Sequence, residues 1–378
     1  MYSIFDFLLN RMKNSQGAFY SAIDADNEQG EGRYYIFKAE EIKTVGGDDL
    51  NLLQEFYQID LNKPFEEEYY HLRKSANLSS LSLKYKLAEK QLNEKRANWE
   101  NQFEVLKNER EFPLIDNKII TSWNALMVWG LLNAYGAFDD DRFLKQAKQT
   151  FTFIENHLIK RKKLMHTFQA NEAKMEANLE DYAFTIKAAL DLYQNTGGQA
   201  YLDRAVQLTQ TAIKNFETDE NPFFTFTENP VLFSEIIAVD DNVIPSANAI
   251  MAENLWILGQ LIEDEDYTTK AKKMLDGVVS HFSEGRGSDY SQWAQLLAKE
   301  AYAHKEVVIV GTAAQETNRE LQQHYLPNVL FQISEKESEL PLLKDRYFDE
   351  ETLIYVCENK VCLRPNKTVA EALKQINN

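Results

Sequence analysis

The chain has 378 residues, of which 44 % are hydrophobic, so it is long enough for more than one unit and apolar enough for a sizeable core. Its formal net charge of −18 repels phosphate groups, which argues against nucleic acid and membrane surfaces as partners. No apolar run approaches the ~18 residues of a membrane span, the apolar start lacks the flanks of a signal peptide, and two cysteines are too few for a secreted disulfide scaffold, so we predict a cytoplasmic protein.

The first third of the chain predicts short elements separated by polar loops. A first helix is expected over residues 3–13, followed by short strands over 19–23 and 33–37 that flank a loop rich in Gly, Asn, Asp and Glu. Residues 81–109 are rich in Lys, Glu, Leu, Asn and Gln, which predicts one long and mostly solvated helix.

Helical hairpins are predicted from residue 119 onward. Three apolar inner helices begin with the polar clusters SWNALM at Ser122, LEDYAF at Leu179 and PSANAI at Pro245, at near-regular spacing, and a fourth is expected over 288–303. More charged outer helices are expected over 141–159, 199–216 and 267–281. An apolar set alternating with an amphipathic set is typical of one ring of helices enclosed by another.

A weaker repeat lies between the hairpins. The aromatic segments GAFYSAIDAD, KLMHTFQAN and PFFTFTENP begin at Gly17, Lys163 and Pro222, and each is strand-like. Repetition at a nearly fixed period is a signal of fold, and here it predicts stacked hairpins whose inner helices present their polar starts to one place.

The pattern changes after Lys305. The β-branched runs EVVIVG, VLFQIS and LIYVCENKVCL surround a predicted helix over 316–325, and a last helix is expected over 369–376. We therefore predict two domains, a partial (α/α) toroid over 1–304 and a small α/β C-terminal unit over 305–378.

The two cysteines belong to this last unit. If Asn359 and Lys360 form a two-residue turn, Cys357 and Cys362 fall opposite each other as a non-hydrogen-bonded pair of a hairpin. A cross-strand disulfide is then geometrically feasible, whereas a reducing cytosol favours two thiols packed in a small core, and the sequence leaves this redox state open.

Six ordered segments carry a resemblance to a known family. They are AFYSAIDADNE from Ala18, EGRYY from Glu31, DNKIITSWNALM from Asp116, LEDYA from Leu179, PSAN from Pro245 and YVCENKVCLRP from Tyr355. Together they resemble the thioredoxin-domain-containing family of spermatogenesis-associated protein 20 and its bacterial relatives. The sequence departs from that family at Ala18, Ala125 and Ala247, where Gly is usual, and at Asn117, where Asp is usual.

The resemblance implies a mainly α fold, the six-hairpin (α/α) toroid that is similar to glycosidases and N-acylglucosamine 2-epimerases. It also implies a thioredoxin-like domain with a CxWCH-type motif, which this sequence does not contain. The first hairpins of the toroid are not evident either. We therefore expect a toroid that is incomplete at the N-terminus.

Four carboxylates are the catalytic candidates. Asp24 and Asp26 lie two apart in a strand-to-loop segment, and Glu180 and Asp181 lie at a helix start. Glycoside hydrolysis needs two carboxylates flanking the bond, ~6.5–9.5 Å apart in an inverting enzyme, which Asp26 and Asp181 would supply if they meet. The alternatives are a polar turn for the first pair and helix capping for the second.

The substrate-binding candidates are polar and aromatic side chains at the helix starts and in the neighbouring segments: Tyr20, Trp123, Asn124, His166, Tyr182, Ser246 and Asn248. Trp123 would stack on a sugar ring, Asn124 would bind its hydroxyls, and His166 is an acid–base candidate because imidazole titrates near neutrality. The alternatives are a core indole, a helix cap and a histidine of the pocket wall. No HxH or HExxH spacing occurs, so no metal site is predicted, and no cofactor is expected.

The leading hypothesis is a carbohydrate-related enzyme, a glycoside hydrolase or a sugar epimerase, that acts on a sugar or glycan in the toroid cavity. A second hypothesis is a non-catalytic module that binds a ligand or a thioredoxin-like protein. A third is a truncated fragment of such a protein, suggested by a first helix that begins at once.

Overall fold

A computed structural model describes residues 2–73, 77–228, 236–284 and 287–377 and divides the chain into two compact units. The hairpin unit consists of Met1–Tyr20 and Lys118–Asn378, and the inserted unit consists of Ser21–Asn117. This division differs from the predicted boundary at residue 304, because residues 305–378 belong to the hairpin unit and it is the stretch 21–117 that is separate.

The α-helices of the described residues are α1 Tyr2–Phe7, α2 Ala39–Gly46, α3 Leu50–Phe56, α4 Leu78–Tyr85, α5 Glu89–Asn108, α6 Thr121–Phe138, α7 Asp141–Phe153, α8 Leu179–Thr196, α9 Gln199–Phe216, α10 Ala247–Ile262, α11 Glu265–Val278, α12 Ser291–Ala301, α13 Ala314–Gln322 and α14 Val369–Ile376. The β-strands are β1 Ala22–Ile23, β2 Asp26–Asn27, β3 Gly30–Glu31, β4 Phe37–Lys38, β5 Tyr69–Tyr70, β6 Ile115–Asp116, β7 Ile119–Ile120, β8 Ile159–Lys160, β9 Lys163–Gln169, β10 Glu172–Glu176, β11 Lys305–Val310, β12 Val329–Ser334, β13 Leu353–Glu358 and β14 Val361–Cys362.

The hairpin unit is built from antiparallel helix pairs. Helices α6, α8 and α10 pair with α7, α9 and α11, and α6, α8, α10 and α12 contact one another in that order as an inner row. Helices α8 and α10 are buried on nearly all sides, whereas α7 buries one stripe that includes Phe143, Ala147 and Phe151. An inner row backed by outer amphipathic helices is the (α/α) arrangement, so the prediction of a mainly α fold of this type is confirmed.

The segment 305–378 forms a four-stranded sheet in the order β12-β11-β13-β14. Strand β11 is parallel to β12 and antiparallel to β13, and its apolar residues are buried on both faces of the sheet. Helices α13 and α14 belong to the core on one of those faces. Strand β12 and helix α13 also pack on α8, which makes this segment part of the hairpin unit. A disulfide joins Cys357 to Cys362 across the β13–β14 pair.

The inserted unit has a core of its own, built from helices α2 to α5. The predicted single helix over 81–109 is wrong, because α4 ends at Tyr85 and Lys86 takes a left-handed conformation with φ of 55°. Helix α5 is also not mostly solvated, since it buries Leu92, Trp99 and Phe103 in the core of this unit.

Candidate active site

The inner helix starts hold the aromatic segments that precede or follow them. At the start of α6 the side-chain carbonyl of Asn124 accepts a hydrogen bond from the Phe19 N–H at 2.8 Å. The amide of Asn124 donates to the carbonyls of Phe19 and Ile120, each at 3.0 Å. Asn124 is 2 % exposed, and these bonds occupy its carbonyl and both amide hydrogens. Its position favours a structural role over the predicted binding of substrate.

The start of α10 repeats this arrangement. Asn248 accepts from the Phe224 N–H at 2.8 Å and donates to the carbonyls of Phe224 and Ala238, each at 3.0 Å. Ser246 is the N-cap residue of α10, and its hydroxyl also donates to Ala238. Both predicted substrate ligands are therefore engaged by the backbone of the hairpin unit.

The third aromatic segment, strand β9, lies over the starts of α6 and α8. The Thr121 hydroxyl donates to the carbonyl of Met165 at 2.6 Å, and the buried Tyr182 hydroxyl accepts from the Leu164 N–H at 3.2 Å. These contacts fix the strand from both sides, and they give Tyr182 a structural role in place of a direct contact with substrate.

Between these two contacts, His166 of β9 meets Asp181 of α8. His166 Nδ1 lies 2.8 Å from Asp181 Oδ2. Asp181 is fully buried, and it also accepts hydrogen bonds from the N–H groups of Ser122 at 3.0 Å and Asn178 at 3.1 Å. Asn178 caps α8 in return by accepting from the Asp181 N–H, so the carboxylate is held rigidly. The sequence predicted both residues as site candidates but not their pairing.

This pairing sets the chemistry of the imidazole. The hydrogen bond to Asp181 raises the pKa of His166 above its ordinary value, and burial opposes the shift only in part. With Nδ1–H donating to the carboxylate, the neutral ring presents a lone pair at Nε2, which has no hydrogen-bond partner among the described residues. A histidine oriented by a buried carboxylate is the arrangement of a general base.

Glu180 is a further titratable group, adjacent in sequence to Asp181 of this pair. Burial raises the pKa of its carboxyl, the Ser122 side chain opposes the shift, and the charge of Asp181 adds to it. The same residue lines a cavity of about 140 Å³ between the starts of α8 and α10, together with Asp240 and Asn242. Glu180 is thus a carboxyl with a raised pKa at the edge of a small cavity.

Trp123 lies in the first turn of α6, and Tyr20 lies in the aromatic segment that is bonded to this helix start through Phe19. Trp123 follows Ser122 directly and is 47 % exposed, so its indole is not a core residue. Tyr20 is half-buried, and its N–H donates to the carbonyl of Met12 at 2.8 Å. Of the predicted substrate ligands, Trp123 is the one with a large exposed ring.

The other two catalytic candidates belong to the inserted unit. Asp24 and Asp26 are both exposed, and Asp24 Oδ1 accepts from the Asp26 N–H at 3.3 Å. This is the polar turn weighed as an alternative for this pair. Within the hairpin unit the acid–base groups that come together are His166, Asp181 and Glu180.

The sequence analysis missed a buried ionic cluster farther along the inner helices. Lys187 and Asp191 of α8, Glu253 of α10 and Lys299 of α12 form it, and their charges alternate. The signal was present, because Lys187 and Asp191 lie four apart on a helix that is otherwise apolar.

The described residues offer neither a metal-binding cluster nor a membrane-spanning helix. Across the described ranges, no three His, Cys, Asp or Glu side chains are grouped so that they could hold a metal ion. Within the same ranges, no helix combines the length and the apolar character needed to cross a bilayer.

Sequence comparison finds relatives over nearly the whole chain. It is 25 % identical to spermatogenesis-associated protein 20 of Homo sapiens, with 99 % of this chain and 54 % of the relative covered. It is also 25 % identical to an uncharacterized protein of Caenorhabditis elegans, with 98 % and 56 % covered. The chain thus spans about half the length of the curated relatives it matches, and no family model matches it. These matches bear out the resemblance drawn from the motifs as sequence similarity.

Among solved structures, the chain is similar to a GH76 α-mannanase of Bacteroides thetaiotaomicron, with 18 % identity, a TM-score of 0.37 and coverage of 44 % of this chain and 45 % of the other. It is also similar to cellobiose 2-epimerase of Bacillus thermoamylovorans, with 12 % identity, a TM-score of 0.36 and coverage of 72 % and 68 %.

Proposed function

We propose that this chain is an acid–base enzyme of the sugar epimerase or isomerase type, with His166 as base and Glu180 as acid. The observation that carries the proposal is the 2.8 Å contact between His166 Nδ1 and the fully buried Asp181. Asp181 is a positioning residue, because it orients the imidazole and makes it more basic without facing a substrate.

The reaction follows from the two groups. His166 Nε2 takes the proton from the carbon next to a sugar carbonyl, the C–H electron pair forms the C=C bond of an enediol, and Glu180 gives its proton to the carbonyl oxygen. In epimerisation, protonated His166 returns the proton to the other face of the same carbon after the enediol turns in the site, and Glu180 recovers its proton from the same oxygen as the C=O bond re-forms. In isomerisation, protonated His166 returns the proton to the neighbouring carbon, and Glu180 takes the proton of the hydroxyl on the carbon first deprotonated, where the new C=O bond forms.

A sugar substrate is supported by two features. The half-exposed indole of Trp123 follows Ser122, whose N–H binds Asp181, and an indole face is a common platform for a sugar ring. The motifs resemble a family whose toroid is similar to that of N-acylglucosamine 2-epimerases.

A glycoside hydrolase fits this site less well. Asp181, the neighbouring carboxylate of α8, is fully buried and already accepts three hydrogen bonds, so it is not free to act as the second carboxylate of a hydrolase. Asp24 and Asp26 belong to the other unit. The alternative of a module that works with a thioredoxin-like protein stays a prediction.

The test is deuterium wash-in. The protein is incubated in D₂O with D-glucose, D-mannose, N-acetylglucosamine or cellobiose, and NMR follows deuterium at the carbon next to the carbonyl. We expect wash-in for at least one sugar and a loss of 10²–10⁴-fold in His166→Gln and Glu180→Gln. His324→Gln, at an exposed position outside β9 and α8, is the matched control. Absence of wash-in with all four sugars, or hydrolysis of p-nitrophenyl glycosides in its place, would overturn the proposal.

A further inference from the structure

A second cavity of the hairpin unit lies farther along the inner helices than the acid–base site. Its volume is about 650 Å³, within the ~300–1,000 Å³ of small-molecule sites. Lys187 and Asp191 of α8 line it, and Lys187 is six residues beyond Asp181, ~9 Å along the helix axis. The acid–base proposal uses none of these groups.

One wall of the cavity is charged. Lys187 Nζ donates to Asp191 Oδ1 at 2.8 Å, and Lys299 Nζ donates to Glu253 Oε1 at 2.7 Å. Glu253 lies behind this wall, where Gln292 donates to its second oxygen at 3.0 Å. The two ammonium groups are balanced by two carboxylates, so the cluster is neutral overall. A ligand with a net charge would therefore bring a charge that nothing in the cluster balances.

Groups of both signs still have hydrogen-bonding capacity on this wall. An ammonium carries three N–H donors, and each lysine donates to one carboxylate among the described residues. Asp191 Oδ1 accepts from Lys187, and no described residue donates to Asp191 Oδ2. Burial raises the pKa of Asp191 despite the neighbouring lysine, so this carboxylate gains from a further positive partner.

Unlike Asp191, Glu253 is not available to bind a group of the ligand. Burial alone would raise its pKa, but Lys187 and Lys299 outweigh burial and bring the pKa of Glu253 to about 2. It stays ionised and satisfied by its lysine and glutamine partners. A cationic group of a ligand is therefore expected at Asp191, and an anionic group at Lys299.

The rest of the lining has an apolar part and an amide part. Leu132, Ile257, Leu330 and Phe331 form the apolar part, and three of them are at most 5 % exposed. The amide side chains are those of Asn133, Gln194, Asn195, Gln322 and Gln323. The rim carries the exposed His324 and Tyr325, which leaves the cavity open to solvent on that side. The lining therefore combines matched charges with an apolar surface.

We propose that this cavity binds a small zwitterion with an apolar body, an aliphatic α-amino acid in its chemistry. The ammonium group of the ligand pairs with Asp191, its carboxylate pairs with Lys299, and its side chain packs on Leu132, Ile257 and Phe331. A neutral polyol would match the amide groups of the lining, but it would give Asp191 and Lys299 no charged partner beyond those they already have, so these two groups favour the zwitterion.

The test compares four probes by isothermal titration calorimetry with the full chain. L-Leucine carries both charges, isoamylamine only the cation, 4-methylvalerate only the anion, and D-glucose neither. We expect L-leucine to bind at least about tenfold more tightly than either single-charge probe. Binding of D-glucose, equal affinity for a single-charge probe, or no heat with L-leucine up to about 10 mM would overturn the proposal.

Variants locate the two ends of the ligand. Asp191→Asn is expected to weaken the binding of L-leucine about tenfold and to leave the binding of 4-methylvalerate unchanged. Lys299→Met is expected to weaken the binding of L-leucine and to leave the binding of isoamylamine unchanged. Asp203→Asn, an exposed position of α9, is the matched control. If neither variant changes the affinity for L-leucine while both melt cooperatively, the assignment to this cavity is wrong.

Discussion

The starts of α6 and α10 differ from the start of α8 in one chemical respect. All three hold an aromatic segment that lies near them, but α6 and α10 use a neutral amide, Asn124 or Asn248, whose donors and acceptor are consumed by backbone groups. Helix α8 uses the carboxylate of Asp181, which binds two N–H groups and a titratable ring. The start of an inner helix is thus a clamp in two hairpins, whereas in the third it holds the pair to which we assign the acid–base role.

The difference follows from what each segment presents. At Phe19 and Phe224 the helix start meets both a backbone N–H and a carbonyl, and an amide matches both. At β9 the start of α8 meets the imidazole of His166. The other two partners of Asp181 are backbone N–H groups, so a carboxylate matches all three donors. Exchanging the amide and carboxylate side chains between these starts tests this comparison.

The largest effect is expected for Asp181→Asn. This change removes the negative charge beside His166, so the imidazole pKa falls and the ring becomes a weaker base. We expect deuterium wash-in to fall by 10²–10⁴-fold and the His166 pKa measured by NMR to decrease. A His166 pKa equal to that of the unchanged chain would contradict the role given to Asp181 even if no substrate is found.

The converse exchange, Asn124→Asp or Asn248→Asp, is expected to destabilise the protein. A carboxylate there would face two backbone carbonyls with no positive partner described nearby, and an unpaired buried charge costs about 3–5 kcal/mol. Urea unfolding measures the change, and the exposed Asn101→Asp is the control. Stability within about 0.5 kcal/mol of the control would mean that these amides are not clamps.

The three helix starts also show which features of the site the sequence could predict and which it could not. The hairpins and the polar helix starts follow from periodicity. Of the aromatic segments, the one at Lys163 forms strand β9 as predicted, whereas the described part of the segment at Pro222 holds no strand. Asn124 and Asp181 occupy similar positions in similar patterns, so the pattern alone could not tell a clamp from an acid–base group. The pairing of His166 with Asp181 needed the register of β9 against α8, which depends on tertiary contacts such as that of Tyr182 with Leu164.

Two parts of the fold could not be predicted for a similar reason. The break between α4 and α5 depends on Lys86 adopting a left-handed conformation, which its residue type does not favour. The separate inserted unit depends on Trp99 and Phe103 packing with α2 and α3, and a helix rich in Lys and Glu gives little sign of that core. Local propensity was overridden by tertiary packing in both cases.

A smaller effect, on stability, is expected for Glu180→Gln, and its size depends on pH. Because burial raises the pKa of Glu180 in the folded state, the folded chain binds more protons than the unfolded chain as pH rises through and above the ordinary value near 4.5, and stability falls over that range. The glutamine variant escapes this loss, so its melting temperature is expected to exceed that of the unchanged chain at pH 7. The gain should vanish near pH 4, and an equal gain at both pH values would contradict the shift.

The smallest effect is expected for the pH dependence of stability that His166 contributes. Its pKa is raised in the folded state, so the protonated ring stabilises the fold fully below the ordinary value of 6.5, and this contribution is lost as pH rises through the folded-state pKa. His166→Gln should therefore cost more stability at pH 5.5 than at pH 9, measured by urea unfolding. In the Asp181→Asn background the same change should lose this pH dependence, because the shift has its main source in that carboxylate. A pH-dependent cost that persists there would assign the shift to another group and separate His166 from the start of α8.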